Sequence, residues 1–266
     1  MTVLQGFLLG LLQGVTEFLP VSSSGHLAVA QYLFSLGEVP LLYDVMLHLA
    51  SLVAVVLFFR RQIIELVMVL LRWAGKKALP EDEPKQKMIV AIILATVVTG
   101  ALGVVFSKII PEMPLQVVCF GFIITGLLLI LSTLLKVRQG EEGKVSVAQG
   151  LFCGFAQGLG VLPGISRSGI TISACLAAGV NRKTAGEFSF LISIPAILGA
   201  FVLELKDFGE LNQSVSAGAI AAGCVAAFAA GYAALFLLNR LIKNGKLAWF
   251  AVYLIPLGVC GAFLFK

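Results

Sequence analysis

The stretch QGVTEFLPVSSSG spans residues 13–25, and the stretch QGLGVLPGISRSG spans residues 157–169. The two stretches share Gln, Gly and a final Ser-x-Ser-Gly at an offset of 144 residues. Both also contain a central Pro, which is shifted by one place. Each stretch interrupts an apolar region, residues 1–35 or 147–180, and leaves arms too short to cross a hydrocarbon layer of about 30 Å. Such broken segments predict re-entrant helical hairpins, because irregular backbone at membrane depth must be buried in protein or line a wet cavity.

The composition places both hairpins in a membrane. Of the 266 residues, 59% are apolar and 12% are charged, whereas soluble proteins carry roughly 25% charged residues. Six further apolar runs are long enough, or nearly so, to span a bilayer. These runs cover about 41–59, 88–106, 115–135, 188–203, 215–239 and 247–265. The sequence therefore predicts an all-α polytopic membrane protein with six spanning helices and two re-entrant hairpins.

Each hairpin precedes three spanning runs, which predicts a duplication. We interpret residues 1–266 as a single membrane domain made of two repeats, about 1–135 and about 145–266. Because three crossings are an odd number, the second repeat must lie upside down relative to the first. The first hairpin is then expected to enter from the outer face and the second from the cytoplasmic face, with their tips meeting near the midplane.

The basic residues support this inverted arrangement. Of the 19 Lys and Arg residues, 15 fall in segments predicted to be cytoplasmic, as the positive-inside rule requires. These segments are 60–87, 136–146, 182–183 and 240–246. The others are Lys108, Lys206, Lys266 and the hairpin residue Arg167. Since the net charge of +5 arises from short loops between apolar runs, it indicates topology, and we predict no nucleic-acid partner.

The five cysteines occur singly in apolar stretches, without a CxxC pair. Buried free cysteine usually behaves as a small apolar residue. We therefore predict neither a disulfide nor a metal site from the cysteines.

The polar residues of the first hairpin are Gln13, Glu17, Ser22, Ser23, Ser24 and His26. Gln13 and Glu17 are four apart, so they share one face of a helix. Pro20 is expected to end that helix, because a residue before proline disfavours the α region. The serines can then cap a following helix, and a helix N-terminus with free N–H groups is an anion site.

The polar residues of the second hairpin include Gln157, Ser166, Arg167, Ser168 and Thr171, beside Pro163. Arg167 lies in the middle of an apolar region, where a guanidinium is costly and needs a partner. A guanidinium also matches planar oxyanions such as phosphate with two parallel hydrogen bonds. We expect Glu17, His26 and the three serines of the first hairpin to face Arg167.

Several roles are open for these residues. A Ser/Gly-rich turn can be only a turn, and a Glu17–Arg167 pair can be a structural clamp, but convergence of two hairpins favours a phosphate site. Arg167 and the helix N-termini would bind the anion, and Glu17 would hold a divalent cation or activate water. Ser23 would act as the nucleophile and His26 as general acid or base, and the sequence does not rank these roles. The predicted substrate-binding residues are Gln13, Ser22, Ser24, Gln157, Ser166, Ser168 and Thr171.

Further polar residues lie at the start of the spanning runs. Asp44 and His48 are four apart in the first repeat, and Glu187 occupies nearly the equivalent place in the second. The acids could hydrogen-bond to the hairpins, but the sequence slightly favours charges at helix ends in the membrane interface.

The string QGVTEFLPVSSSGH resembles the acidic N-terminal motif of the undecaprenyl-diphosphate phosphatases, the bacitracin-resistance family. LPGISRSGIT resembles that family's second motif, and EFSFLISIP after it is also similar. The resemblance extends over the whole chain in length and segment order. By position, Glu17, Ser23, His26 and Arg167 match the family's principal catalytic and binding residues.

This resemblance implies hydrolysis of undecaprenyl diphosphate to the monophosphate, which recycles the carrier lipid of bacterial cell-wall synthesis and confers bacitracin resistance. It also implies Mg²⁺ or Ca²⁺, a polyprenyl diphosphate lipid as substrate, and often a homodimer. The implied location is the bacterial plasma membrane, with the active site open to the outer face. The family's first motif position is Glu or Gln and is Gln13 here, so Glu17 would hold a cation together with the substrate's phosphates.

Two other functional classes have features in common with this chain. Lipid phosphatases of the phosphatidic-acid-phosphatase type need a nucleophilic His after a Ser-Arg motif, but the two histidines, His26 and His48, both precede Arg167. The inverted repeat suggests, as the alternative function, a transporter or flippase of polyprenyl phosphate lipids.

Overall fold

The computed structural model describes residues 1–37, 39–109, 113–134, 140–205 and 215–265, and these ranges contain helices and no strand. In the first half, the helices are α1 (Val3–Phe18), α2 (Ser23–Leu33), α3 (Leu41–Phe58), α4 (Arg60–Ala74), α5 (Glu83–Ile109) and α6 (Leu115–Leu134). In the second half, they are α7 (Val147–Leu159), α8 (Arg167–Ala177), α9 (Arg182–Glu204), α10 (Ala217–Lys243) and α11 (Trp249–Leu264). The basic residues Lys136, Arg138, Lys206 and Lys266 lie outside the described ranges.

Five helices in the described ranges are long and apolar enough to cross a membrane, namely α3, α5, α6, α9 and α10. The prediction of spanning segments is confirmed for these five, so the chain is an all-α multi-pass membrane protein. The sixth predicted run, 247–265, forms the 16-residue helix α11, which is shorter than the other five. The helix is shorter than the apolar run because Leu247 and Ala248 belong to the turn that precedes it.

The two broken regions form pairs of short helices, as predicted. Their lengths are 16 and 11 residues for α1 and α2, and 13 and 11 residues for α7 and α8. The first break follows Phe18, two residues before Pro20, and the second follows Leu159. Within each pair the two helices pack against each other, so each pair is a helical hairpin.

Each hairpin packs its first helix against a spanning helix from the other half of the chain. Helix α1 contacts α10, and α7 contacts α5. A Cβ added at Gly10 would lie 2.0 Å from the carbonyl oxygen of Gly223, and one at Gly154 would lie 2.4 Å from Cα of Ala95. Glycine thus permits backbone-to-backbone contact, the usual device for close helix packing in membranes. Three glycines on α1 and three on α7 make these contacts, and corresponding glycines are separated by 144 residues. They are Gly6, Gly10 and Gly14 on α1, and Gly150, Gly154 and Gly158 on α7.

Helix α4 lies where the sequence analysis placed only a basic loop. It buries Val69 against the protein and leaves Ile64 and Leu71 exposed. Its Arg72 donates to the buried carboxylate of Asp82, and this hydrogen bond holds the pKa of Asp82 below its usual value. The sequence did not predict this helix, because the basic residues of the segment indicated only which side of the membrane it lies on.

Candidate active site

A cavity of about 200 Å³ lies where the two hairpins meet. We call it the hairpin cavity. Its polar lining comprises Glu17, Ser22, Ser23, Ser24, His48, Thr99, Gln157, Ser166 and Arg167. Its apolar wall includes Ile197 of α9. The hairpins and helices α3, α5 and α9 therefore all contribute to one site.

The N-termini of α2 and α8 border the hairpin cavity. Ser22 caps α2 by accepting from the N–H of Gly25 at 3.4 Å, and Ser166 caps α8 by accepting from the N–H of Gly169 at 3.0 Å. Both residues of each cap recur at the offset of 144. Because helix N-termini carry partial positive charge and free N–H groups, two such termini beside one cavity favour an anion.

The turn of the second hairpin is held against α6. Gly164 has φ +86° and lies so close to α6 that a Cβ would be 2.0 Å from the carbonyl oxygen of Val118. The hydroxyl of Thr125 accepts from the backbone N–H of Ser166 at 3.0 Å. These contacts fix the start of α8, and with it the backbone of Arg167.

Glu17 is the hydrogen-bonded centre of the site. Its Oε2 accepts from Ser23 Oγ at 2.6 Å and from Gln13 Nε2 at 2.9 Å. Its Oε1 accepts from Arg167 Nη2, which forms an ion pair between the two hairpins. The carboxylate is buried, and a buried charge is stable only when it is paired and hydrogen-bonded in this way.

Two buried polar atoms at the cavity lining lack a partner among the described residues. Arg167 Nη1 has no acceptor, and Gln157 Oε1 has no donor. Gln157 Nε2 donates to Thr99 Oγ1 at 3.1 Å and to the carbonyl of Ile192 at 3.2 Å, which fixes its orientation. Since buried polar groups are usually hydrogen-bonded, the free guanidinium N–H is a donor available to a ligand oxygen.

His26 lies outside the lining of the hairpin cavity. Its Nδ1 donates to the carbonyl of Ser22 at 2.7 Å, so its Nε2 accepts from the Tyr253 hydroxyl at 2.8 Å. The ring also packs on Phe122. His26 thus contacts the Ser22 turn, where φ is +69°, rather than the Ser23 hydroxyl. A non-glycine residue at such a φ is held there by its surroundings.

Three other predicted site residues lie behind the cavity. Ser168 Oγ lies 3.2 Å from Ser166 Oγ and 3.3 Å from the carbonyl of Leu19. Thr171 donates to the carbonyl of Arg167 at 2.7 Å. Among the described residues, the hydrogen bond of the third, Gln13, is to Glu17. These residues support the two hairpins rather than line the cavity.

The residues at the start of α3 belong to the site. His48 lines the cavity, with Nε2 3.3 Å from Glu17 Oε2. Asp44 accepts from Gln31 of α2 at 2.7 Å. The predicted hydrogen bond from an acid to a hairpin is therefore present at Asp44, which also lies in the first turn of α3. Sequence reasoning missed Thr99 and Tyr253, which lie far from either motif along the chain.

The donor atoms can be compared with the needs of Mg²⁺ or Ca²⁺. The described residues contain no cluster of three or more His, Cys, Asp or Glu side chains. Glu17 is the carboxylate at the cavity, and Gln13 Oε1 lacks a partner among the described residues. Mg²⁺ is commonly held by one or two carboxylates together with substrate phosphates. The residues therefore fit a cation that the diphosphate also binds, and Glu17 would be its protein carboxylate.

Fold and site together define a class, a multi-pass helical membrane protein with a polar cavity between two helical hairpins. The model of the family described as bacitracin resistance protein BacA matches residues 6–260. The chain therefore belongs to this family.

Relatives agree with the family match. A protein of Treponema denticola is 48% identical over 97% of this chain and 96% of its own length. Proteins of Carboxydothermus hydrogenoformans and Borreliella burgdorferi are 40% and 37% identical, each over 97% of this chain and 96% of its own length. All three carry the name undecaprenyl-diphosphatase. The resemblance noted in the sequence is thus confirmed.

Proposed function

We propose that this chain hydrolyses undecaprenyl diphosphate to undecaprenyl phosphate and inorganic phosphate, and so recycles a cell-wall carrier lipid. The observation that carries the proposal is the arrangement at Glu17. Its carboxylate accepts the Ser23 hydroxyl at 2.6 Å and also binds Arg167, whose Nη1 is free to donate. The name shared by the relatives supports a phosphatase over a flippase.

In this proposal the terminal phosphate binds in the hairpin cavity. Arg167 Nη1 donates to one phosphate oxygen, and the N-termini of α2 and α8 face the others. Such preorganised donors stabilise the charge that builds on a transferring phosphoryl group. The polyprenyl chain stays in the apolar surroundings of the spanning helices.

Ser23 is the proposed nucleophile and Glu17 the proposed base. Ser23 Oγ attacks the terminal phosphorus while its proton passes to Glu17 Oε2. The anhydride P–O bond breaks, and undecaprenyl phosphate leaves with the bonding electrons. Water then attacks the phosphoserine and passes one proton to a phosphate oxygen. The P–Oγ bond breaks as Glu17 returns its proton to Ser23 Oγ, and inorganic phosphate leaves as dihydrogen phosphate. His26 is proposed to act through the Ser22 turn, whose carbonyl it binds.

Phosphate release from purified protein tests this proposal. With farnesyl or undecaprenyl diphosphate and Mg²⁺ or Ca²⁺, we expect turnover by the parent protein. Ser23→Ala should lower the rate by about 10³-fold or more, because nucleophile and proton donor are lost together. Ser132→Ala, a buried serine on α6, is the matched control and should keep the parent rate. A Ser23→Ala variant that keeps half the parent rate would exclude Ser23 as the nucleophile.

We further propose a divalent cation, Mg²⁺ or Ca²⁺, that binds with the substrate. When bound, it would neutralise negative charge on the diphosphate. Because Glu17 is one carboxylate with donors already on both oxygens, we expect weak cation binding without substrate. Isothermal titration should therefore detect cation binding only after a non-hydrolysable diphosphate is added, and chelation should abolish turnover. Tight binding to the substrate-free protein would contradict the shared site.

We also propose that the halves are inverted repeats and that the cavity opens to the outer face. The matched glycines on α1 and α7 support the repeat. Thr99 and Ala200 lie in the C-terminal halves of α5 and α9, and both helices begin beside basic residues. If the basic side is cytoplasmic, the cavity lies toward the outside. The homodimer stays a prediction, which the mass of the purified protein in detergent would test.

Labelling of single cysteines tests the orientation. In a variant without native cysteines, Lys77→Cys should resist an impermeant thiol reagent added to intact cells. Gly37→Cys, after α2, should react with the same reagent because the first hairpin is proposed to enter from outside. The reverse pattern would overturn the proposed orientation.

A further inference from the structure

We propose that His48 is a positioning residue for Glu17, which it holds in place by an ion pair while Arg167 also binds the phosphate. This inference rests on the proposed phosphatase function and concerns the same cavity. The family motifs quoted above do not include His48, which lies on the spanning helix α3.

The imidazole ring of His48 has a fixed orientation. Its Nδ1 lies 2.7 Å from the carbonyl oxygen of Asp44, one helical turn earlier. Since this oxygen only accepts hydrogen bonds, Nδ1 donates to it. Nε2 lies 3.3 Å from Glu17 Oε2, and because a carboxylate oxygen also only accepts, this ion pair is formed by the imidazolium, which carries a proton on both nitrogens. The His48 side chain is 24% exposed and lines the cavity, whereas the side chain of Glu17 is 2% exposed.

The hydrogen bonds of Glu17 differ in what happens to them during the proposed reaction. Arg167 donates to Oε1 and, in the proposed reaction, must also donate to the phosphate. Ser23 gives its proton away when it attacks. Gln13 lies on the same helix as Glu17 and moves with it. Among the described residues with a hydrogen bond or ion pair to Glu17, His48 alone comes from another helix and is assigned neither phosphate binding nor proton transfer in the proposed reaction.

Helix α3 is hydrogen-bonded to the first hairpin, so it holds His48 at a fixed position relative to that hairpin. Tyr43 donates to the carbonyl of Gly6 in α1 at 3.2 Å, and Asp44 accepts from Gln31 in α2 at 2.7 Å. Position 192, which lies 144 residues after His48, is isoleucine. The second half has no histidine there, and it has no glutamate at the position equivalent to Glu17, which is Val161. Glutamate and histidine thus occur together in one half only.

Three variants of the full-length purified protein test the inference, with kcat and KM measured for farnesyl diphosphate. His48→Leu fills similar space without a donor, and we expect kcat to fall by about 10- to 100-fold, as for other residues that orient a reacting group. KM should change by less than about threefold, because His48 is not proposed to contact phosphate. His48→Gln keeps a donor and should recover at least about a third of the parent kcat. Val53→Ala, which truncates an exposed side chain on α3, is the control and should match the parent.

The outcomes separate this inference from the proposed function. No phosphate release by the parent protein would overturn both. An active parent with an equally active His48→Leu variant would overturn the role of His48 alone. A higher KM at unchanged kcat would make His48 a substrate-binding residue, and a His48→Gln variant as slow as His48→Leu would exclude positioning by hydrogen bonding. If His48→Leu does not fold, His48→Ala is held to the same criteria.

Discussion

Arg167→Ala is expected to lower phosphate release by about 10³-fold, a catalytic effect that we expect to be comparable with that of Ser23→Ala. Removal of one preorganised donor costs about 10²- to 10³-fold in kcat, and here the donor also carries the charge. Arg167→Lys should recover little, because an ammonium is a point charge and lacks the planar fork of donors. The rates should be compared with those of Arg61→Ala, which removes an exposed arginine from α4.

The same substitution should also reduce stability, because it leaves the buried carboxylate of Glu17 without its partner. Removing one member of a buried ion pair costs about 3–5 kcal/mol. The double variant Glu17→Gln with Arg167→Ala should recover much of this stability without recovering activity. Thermal unfolding in detergent separates the two effects. An Arg167→Ala variant within about tenfold of the parent rate would show that Arg167 is only a clamp.

Gly10→Ala is expected to have the largest effect on stability. The added Cβ would lie 2.0 Å from the backbone oxygen of Gly223, and backbone cannot move aside as a side chain can. Overpacking typically costs about 1–3 kcal/mol and occasionally more, and here it would separate α1 from α10. At about 2–4 °C per kcal/mol for a chain of this size, the midpoint of thermal unfolding should fall by several degrees.

Two other glycines complete the experiment. Gly154→Ala should destabilise similarly, because its Cβ would lie 2.4 Å from Cα of Ala95 in the corresponding contact of α7 with α5. Gly100→Ala is the control, because nothing lies within 4 Å of its Cβ and alanine favours a helix by up to about 1 kcal/mol. Unfolding can be followed by a thiol-reactive dye, since Cys119, Cys153 and Cys175 are buried. Equal midpoints for Gly10→Ala and Gly100→Ala would refute the close-packing argument.

Local chemistry explains which structural predictions were correct. Pro20 ends α1, and Ser22 and Ser166 cap the helices that follow, because proline and serine act on backbone within a few residues of themselves. The length of α11 was overestimated because hydropathy does not show where a turn ends and a helix begins. Helix α4 was missed because its apolar stretch, residues 63–71, is too short to span a membrane, and the basic residues at its two ends indicated only topology.

Distance along the chain explains what was missed at the site. Nothing near His26 indicates that Tyr253 accompanies it, because 227 residues separate them. The glycine spacing at Gly6, Gly10 and Gly14 was a usable signal, since small residues four apart indicate a helix contact in a membrane. That spacing repeats at the same offset as the hairpin motifs, yet it does not name the helix that each set contacts.

The sequence by itself determined the membrane class, the two broken hairpins, the family and the set of polar residues. These follow from composition and from motifs of neighbouring residues, which do not depend on how the helices pack. Only the tertiary structure decided which of these residues meet. It joins Glu17 to Ser23, Arg167 and His48 and places His26 outside the cavity, because these contacts depend on how α3 and the two hairpins pack. Packing brings together residues 150 apart, such as Glu17 and Arg167, and no local pattern specifies that distance.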